Sequence, residues 1–322
     1  MTKFITEANR YILGILLIIV VTIILGTIPV AVKEAMTSLS PATLLAIRFT
    51  IGAMILTPFV RNLNVNVVRD GAILGLLLFV IFATATIGLE TISANRASFF
   101  FALNMVFVTL FELLFRKRLS VRAALAAILA FTGIGVMSWE SGEPLIGNLW
   151  LLGFALCDAA YIIVLEVFSP RHSPIPFTTI QLWLVAALGI LWAAPELSEQ
   201  LEAIQTNLGV LIYLGVFATA IMTLLHIVAQ RWISAQEAGL LLALEPVFGA
   251  IFAFWLLGET FSTRGLIGAA MVLVGIILIL TNPKIDESDT ELPQVHENTD
   301  LDGAANSDKV LVGVGSVNVE IT

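Results

Sequence analysis

The sequence has few charged residues, and this scarcity excludes a water-soluble globular protein. Only 12% of its 322 residues are Asp, Glu, Lys or Arg, whereas 58% are hydrophobic, and the mean hydropathy is +0.98. Soluble domains carry about 25% charged and about 45–50% apolar residues. The composition therefore predicts a chain that lies in a lipid bilayer.

Metal-binding and catalytic motifs are also lacking. Cys157 is the only cysteine and there are three histidines, which leaves no disulfide framework and no basis for a cysteine or multi-histidine metal site. No G-x-x-x-x-G-K-[ST] phosphate loop and no H-E-x-x-H or G-x-S-x-G motif occurs. We therefore expect no metal, no cofactor, no ATP-driven cycle and no enzymatic activity. The net charge of −8 also argues against a nucleic-acid partner.

Hydrophobic runs long enough to cross a membrane are abundant. A transmembrane helix needs about 20 predominantly apolar residues. Ten runs of this kind lie at 12–33, 41–60, 71–89, 94–115, 120–139, 147–167, 177–195, 208–229, 235–257 and 263–281. The predicted fold is an all-α integral membrane protein with ten transmembrane helices.

The positions of Lys and Arg predict the orientation, because positive charge near helix ends resists translocation. With the N-terminus (1–11) in the cytoplasm, twelve of the 16 basic residues fall on the inner side and three on the outer side, and Arg48 lies inside the second run. An even number of helices returns the C-terminus to the cytoplasm. We expect a protein integral to the cytoplasmic (inner) membrane, as a monomer or weak dimer.

An internal repeat divides the chain. At a shift of 141 residues, 92–94 matches 233–235 and 102–103 matches 243–244. Each half then holds five helices, and because five is odd, equivalent helices cross the membrane in opposite directions. Such inverted repeats let a central site open to either side in turn, although duplication can also simply build a stable bundle.

A family resemblance follows from the second half. The stretch from Ile233, ISAQEAGLLLALEPVFGAIFAFWLLGETFSTRGLIGAAMVLVGIILI, closely resembles the EamA-type domain of the drug/metabolite transporter superfamily, and the first half is similar to it more distantly. The resemblance implies five-helix repeats at 12–139 and 147–281, joined by a periplasmic linker at 140–146. It also implies a ten-helix metabolite carrier, often for amino acids or related compounds and commonly exporting.

Asp158 and Tyr161 are candidate substrate-binding residues. An ionisable side chain deep in a span costs about 2.5–3.5 kcal/mol on insertion scales, so it needs a partner, a wet cavity or a function. Asp158 lies near the middle of the sixth run, with Tyr161 at helical spacing. Its carboxylate is suited to bind a substrate amine or a proton; the alternative is a structural hydrogen bond to a neighbouring helix.

Glu245 and Pro246 form a second candidate in the ninth run. A proline inside a helix removes a backbone donor and bends the helix, so the pair predicts a kink that either contacts the ligand or serves gating. Asn104 lies near the corresponding place of the first half. If Glu245 and Asp158 lie close together, they can share one proton.

His226, Thr219 and Thr223 form a polar stripe in the eighth run, and Thr84 lies at comparable depth in the third. A histidine in this place can relay protons; the alternative is a hydrogen bond between helices. We treat all four as candidate cavity residues.

Arg48, Gly26 and Pro29 are candidates for support and movement. Arg48 can fix a substrate carboxylate through two hydrogen bonds, but we favour a structural charge that locks the second helix, with Glu34 or Glu237 as its partner. Gly26 and Pro29 predict a locally weakened first helix that can bend during gating.

The chain is thus predicted to be a secondary transporter that moves a small polar metabolite by alternating access. An amino acid or related compound is the expected substrate, export the expected direction, and a proton or counter-substrate the expected coupling partner. Three alternatives stay open: a multidrug exporter, a channel-like facilitator without a conformational cycle, and an intramembrane enzyme with Asp158, His226 and Glu245 as acid–base groups.

The net charge of −8 has its source in the C-terminal tail. Residues 282–322 hold nine acidic and two basic residues, a net of −7, so the preceding 281 residues carry only −1. Low hydrophobicity and high charge predict a disordered, acidic cytoplasmic extension.

Overall fold

The regular elements of the chain are helices. The computed structural model describes residues 2–61, 63–116, 121–139, 144–168, 171–229, 232–233 and 241–280, and within these ranges no strand occurs. The predicted linker at 140–146 lies mostly outside these residues, and the acidic tail at 282–322 lies wholly outside them. The predicted all-α fold class is confirmed for the described part.

The helices follow the hydrophobic runs along the chain. The first six are α1 Thr2–Ala35, α2 Pro41–Leu56, α3 Val65–Thr91, α4 Ala94–Phe101, α5 Asn104–Arg116 and α6 Val121–Trp139. The next seven are α7 Leu145–Phe168, α8 Pro174–Ala193, α9 Leu201–Thr206, α10 Leu208–Ile212, α11 Met222–Ala229, α12 Glu245–Leu257 and α13 Thr263–Leu280. A 3₁₀ turn, Thr57–Phe59, follows α2, and a π-helical segment, Tyr213–Ile221, joins α10 to α11.

Seven helical stretches among the described residues are long and apolar enough to cross a membrane. Three shorter apolar helices, Ala124–Trp139, Glu245–Leu257 and Thr263–Leu278, occupy the fifth, ninth and tenth predicted runs. The chain is therefore a membrane protein by length and composition, whereas the count of ten spans stays a prediction.

Capping residues explain where two helices begin. The Ser40 side chain accepts a hydrogen bond from the Thr43 backbone N at 3.2 Å, and Pro41 occupies the first turn of α2. The Asn64 side chain accepts from Val67 N at 2.8 Å, so α3 begins at Val65, six residues before the predicted run at 71–89. Capped starts of this kind satisfy backbone donors that have no partner inside the helix.

The fourth predicted run is not one helix. We predicted a continuous helix over 94–115, but α4 ends at Phe101, Ala102 and Leu103 form a turn, and α5 begins at Asn104. A similar turn at 243–244 precedes Glu245, where α12 begins. The two helix starts are 141 residues apart, which equals the shift at which the halves match in sequence.

Helix α6 packs against α13 through glycine. A Cβ added at Gly133 would lie 2.6 Å from the backbone O of Gly268, and a Cβ added at Gly268 would lie 2.5 Å from the backbone O of Gly133. A Cβ at Gly275 would meet the Ala126 backbone O at 2.8 Å. The two backbones are therefore in direct contact, and no side chain fits between them.

Helix α12 is tied to the starts of α4 by a carboxylate. Gly258 ends α12 at a φ of 68°, a conformation that glycine adopts without strain, and Glu259 follows. Its two carboxylate oxygens accept hydrogen bonds from the backbone N of Ala94 at 2.9 Å and of Asn95 at 2.8 Å. A carboxylate at a helix N-terminus is favoured by the exposed N–H groups and the helix dipole.

Other loops predicted to face outward also meet at this end of the bundle. The Lys33 ammonium donates to the backbone O of Leu89 and of Ile92, both at 2.8 Å, at the C-terminal end of α3. The Asn207 amide donates to Ser38 Oγ at 2.7 Å, and the Ser40 hydroxyl donates to Glu196. These contacts place the loops at 36–40, 92–95, 196–207 and 258–262 on one side.

Substitution of Gly268 by Ala is expected to lower the thermal stability of the protein, because the added methyl must push the Gly133 backbone away. Overpacking of this kind costs about 1–3 kcal/mol. Thermal unfolding of the purified protein in detergent measures the effect. Gly135→Ala is the matched control, since no atom lies within 4 Å of its added Cβ. Equal unfolding temperatures for the two variants would contradict the direct backbone contact.

Candidate functional site

Asn104 and Asp158 are brought together at the break between α4 and α5. The side-chain Nδ2 of Asn104, the first residue of α5, donates a 2.6 Å hydrogen bond to Oδ2 of Asp158 in the middle of α7. Both side chains retain part of their accessible surface although they lie deep in the bundle. They therefore border an internal space.

Glu245 lies close to this pair. It is the first residue of α12, it retains part of its accessible surface, and Asp158 is near enough to act on it electrostatically. Two helices thus begin beside Asp158, and each contributes its first side chain. The sequence analysis named all three residues; their proximity comes from the structure.

Tyr161 extends the site by one turn of α7. Its hydroxyl donates to Gln181 Oε1 of α8 at 2.7 Å, and Asp158 acts on it electrostatically. Gln181 is only 2% exposed, and the sequence analysis missed it. The available signal was a single amide within the apolar run at 177–195.

Arg48 is held by the π-helical segment. Its Nε donates to Thr219 Oγ1 at 3.0 Å, and its guanidinium also donates to the backbone O of Ala218 at 3.3 Å. The guanidinium carbon lies 5.0 Å from the ring centre of Phe82 and 5.4 Å from that of Phe49, distances at which a cation is attracted to an aromatic face. Arg48 is 2% exposed, so its hydrogen-bonding groups are turned into protein.

The predicted partners of Arg48 need correction. We named Glu34 or Glu237, but Glu34 is exposed at the outer end of α1, and Glu237 lies outside the described residues. The partners found are a hydroxyl, a carbonyl and two aromatic rings. A neutral, polarisable shell can hold a buried guanidinium because the group has several N–H donors and a flat face.

The remaining predicted polar residues bond mainly within their own helices. The Thr219 hydroxyl donates to Leu214 O at 2.8 Å, and that of Thr223 donates to Thr219 O at 2.6 Å. The Thr84 hydroxyl donates to the carbonyl groups of residues 80 and 81. His226 is half-buried in the last turn of α11. The structure places the stripe in one helix and does not bring these side chains onto Asp158.

The gating candidates differ from one another. A Cβ at Gly26 would lie 2.9 Å from the backbone N of Gly249, so α1 and α12 approach closely there, and Pro29 lies inside α1. Pro246 was expected to bend a helix from within, and this expectation was wrong. It lies in the first turn of α12, where a proline costs little because the backbone N–H would have no helical partner.

A buried ion pair that the sequence analysis missed lies near the start of α3. His172 Nε2 and Asp70 Oδ2 are 2.9 Å apart, and their side chains are 4% and 2% exposed. Arg69 Nε donates to the other carboxylate oxygen at 2.9 Å. The pair connects α3 to the segment before α8, at the end opposite to Glu259. No group of three or more His, Cys, Asp or Glu suited to a metal occurs among the described residues.

Thr219→Val is expected to lower the thermal stability by about 1–3 kcal/mol, because it leaves a buried N–H of Arg48 without its acceptor. The valine keeps the shape of the side chain. Thr50→Val on α2 is the control, since the Thr50 hydroxyl donates only to Ala46 O of its own helix in the described contacts. Unfolding midpoints in detergent decide the matter, and equal losses in the two variants would show that Arg48 does not depend on Thr219.

Comparison with known proteins gives consistent relatives. An uncharacterized transporter of Archaeoglobus fulgidus is 28% identical over 257 residues, covering 79% of this chain and 81% of that protein. The uncharacterized transporter YdfC of Bacillus subtilis is 24% identical, covering 76% and 83%. A protein known from a crystal structure matches with a TM-score of 0.59 at 17% identity, covering 83% of this chain and 96% of that one, which shows a shared fold.

The sequence profile of the EamA-like transporter family matches twice, at residues 12–139 and 145–281. The two matches cover most of the part of the chain before the acidic tail, and they confirm the resemblance found in the sequence. This chain belongs to the EamA-like transporter family.

Proposed function

We propose that the protein is a secondary transporter that moves a small polar metabolite across the cytoplasmic membrane by alternating access. The family and the relatives support a transporter rather than an enzyme. The observation that carries the finer proposal is the meeting of two helix starts, Asn104 and Glu245, beside Asp158. Discontinuous helices that converge on a polar site inside the membrane are typical of secondary transporters.

The proposed architecture is ten helices in two inverted halves of five. Two successive matches to one family profile support the duplication, and the helix starts at Asn104 and Glu245 recur at the 141-residue shift of the repeat. The three shorter apolar helices then complete the ten spans. Two similar halves that exchange conformations give two access states of one central site.

Contacts between the halves mark where the protein would open. Glu259 of the second half binds the backbone N–H groups of Ala94 and Asn95 in the first half, and at the other end His172 binds Asp70. In the proposed cycle, one of these contacts loosens when the site opens toward its side. The termini are proposed to lie in the cytoplasm, and the tail is proposed not to take part in transport.

The substrate is proposed to belong to the amino acids and related nitrogen compounds, and the direction to be outward. Tyr161, Asn104 and the two carboxyl groups offer hydrogen-bonding groups for such molecules. Coupling to a proton or to a counter-substrate is proposed, because two neighbouring carboxyl groups can exchange a proton for a bound ligand.

A multidrug exporter is the second candidate, and a surface groove favours it. The groove has a volume of about 500 Å³, and its lining includes Phe254, Trp255, Phe261 and Glu259. Trp255 is 71% exposed, so the groove opens toward the lipid. Uptake of lipophilic compounds from the membrane would begin on a surface of this kind.

Reconstituted protein is expected to show saturable counterflow: vesicles loaded with an unlabelled substrate take up the labelled one faster than empty vesicles. The reason is that an alternating-access carrier returns faster when loaded. The panel contains amino acids, amines, sugars and purines, with lipophilic cations for the second candidate. Flux without trans-stimulation would point to a channel-like facilitator, and absence of flux for every compound would contradict a transporter of these classes.

Single cysteines are expected to report the predicted orientation. In a Cys157→Ala background, a cysteine at Ser38 or Glu199 should react with a membrane-impermeant maleimide added to intact cells, because both residues are exposed in loops predicted to face outward. A cysteine at Arg61 or Arg171 should react only after the cells are opened. Labelling of the second pair in intact cells would contradict the inverted arrangement.

A further inference from the structure

We infer that the central site takes a small organic amine, bound as a cation between Asp158 and Glu245, in preference to a zwitterionic amino acid. The inference rests on the proposed transport function and narrows its substrate class. It starts from charge: two carboxyl groups lie near each other inside the bundle, and an unpaired carboxylate in an apolar interior costs several kcal/mol. A positive charge or protons must therefore accompany them.

The described basic side chains near the site are engaged elsewhere. The Arg48 guanidinium binds Thr219 and Ala218 and lies against two aromatic rings. The Lys33 ammonium binds carbonyl groups at the outer end of α3. Within the described part of the chain, the polar partner of Asp158 is Asn104, and the charged neighbour of Glu245 is Asp158. The compensating charge is thus left to a ligand or to protons.

The hydrogen-bonding character of the site also fits an ammonium group. Asn104 uses its Nδ2 on Asp158, which leaves its amide oxygen as an acceptor. Tyr161 donates its hydroxyl proton to Gln181, so its oxygen can only accept from a ligand. An ammonium group has three donors and no acceptor, and it matches two carboxyl groups, an amide oxygen and a phenol oxygen.

A carboxylate on the ligand would meet the wrong partners. It would add a third negative charge to the same region, and the donors that could receive it, the Asn104 amide and the Tyr161 hydroxyl, are already in use. Charges of like sign repel strongly where water is scarce. The site therefore separates an amine from the amino acid that has the same side chain.

The test is a matched panel on the full-length protein in lipid nanodiscs. Two side chains are each presented in three forms: tyramine, tyrosine and 3-(4-hydroxyphenyl)propanoate, and isobutylamine, valine and 3-methylbutanoate. Ligand-induced thermal stabilisation gives the affinity, and counterflow in vesicles gives transport. We expect each amine to bind at least about tenfold more tightly than the matching amino acid, with no stabilisation by the acids.

Neutral variants identify the groups that bind the cation. Asp158→Asn and Glu245→Gln should each weaken amine binding at least about tenfold, since each removes a charged hydrogen-bond acceptor. Glu199→Gln, an exposed loop carboxyl, is the matched control and should leave the affinity unchanged. If a variant does not fold, as judged by size-exclusion chromatography and circular dichroism, the panel on the unmodified protein decides alone.

The outcomes separate this inference from the proposed function. Counterflow of tyrosine or valine that equals or exceeds that of the amines would overturn the amine inference and leave the transporter proposal standing. Amine binding that is unchanged in both neutral variants would overturn the assignment to Asp158 and Glu245. Absence of counterflow for any compound of the broad panel would overturn the transporter proposal, and the inference with it.

Discussion

The interaction on which the rest of the site depends is the repulsion between two carboxyl groups in a region without bulk water. Asp158 and Glu245 come from different halves of the sequence repeat's second copy, on α7 and α12, and Asn104 reaches them from the first copy. Holding such groups apart from water is unfavourable unless something compensates for them. The arrangement is therefore least stable when empty and charged, a property suited to a site that must exchange one bound species for another.

The helix breaks make this site possible. A continuous helix presents its side chains outward and keeps its backbone groups satisfied, whereas a helix that begins inside the bundle directs its first side chain and its free N–H groups at the interior. Asn104 and Glu245 occupy that first position in α5 and α12. Around them the helices are fixed by close contacts: glycines between α6 and α13, and the Arg48 guanidinium between α2 and the π-helical segment.

Much of this could be predicted from the sequence, because the bilayer imposes a simple rule on helix length and polarity. The run at 147–167 corresponds to Leu145–Phe168, and the scarcity of polar groups in the spans made Asp158 and Asn104 visible. Their hydrogen bond was not predictable, since it joins residues 54 positions apart and depends on packing. Gln181 and the Asp70–His172 pair escaped notice for the same reason: each has a meaning only through a partner on another helix.

The π-helical segment Tyr213–Ile221 gives the eighth predicted run a second way to wind. Its hydrogen bonds span five residues, as between Thr219 and Leu214, whereas those of an α-helix span four. Rewinding the segment as an α-helix would change the rotation of everything that follows it, including Thr223 and His226 on α11. Such a change turns one helix face toward the interior in place of another without unfolding the helix, and the bond from Arg48 to Thr219 holds the looser winding in place.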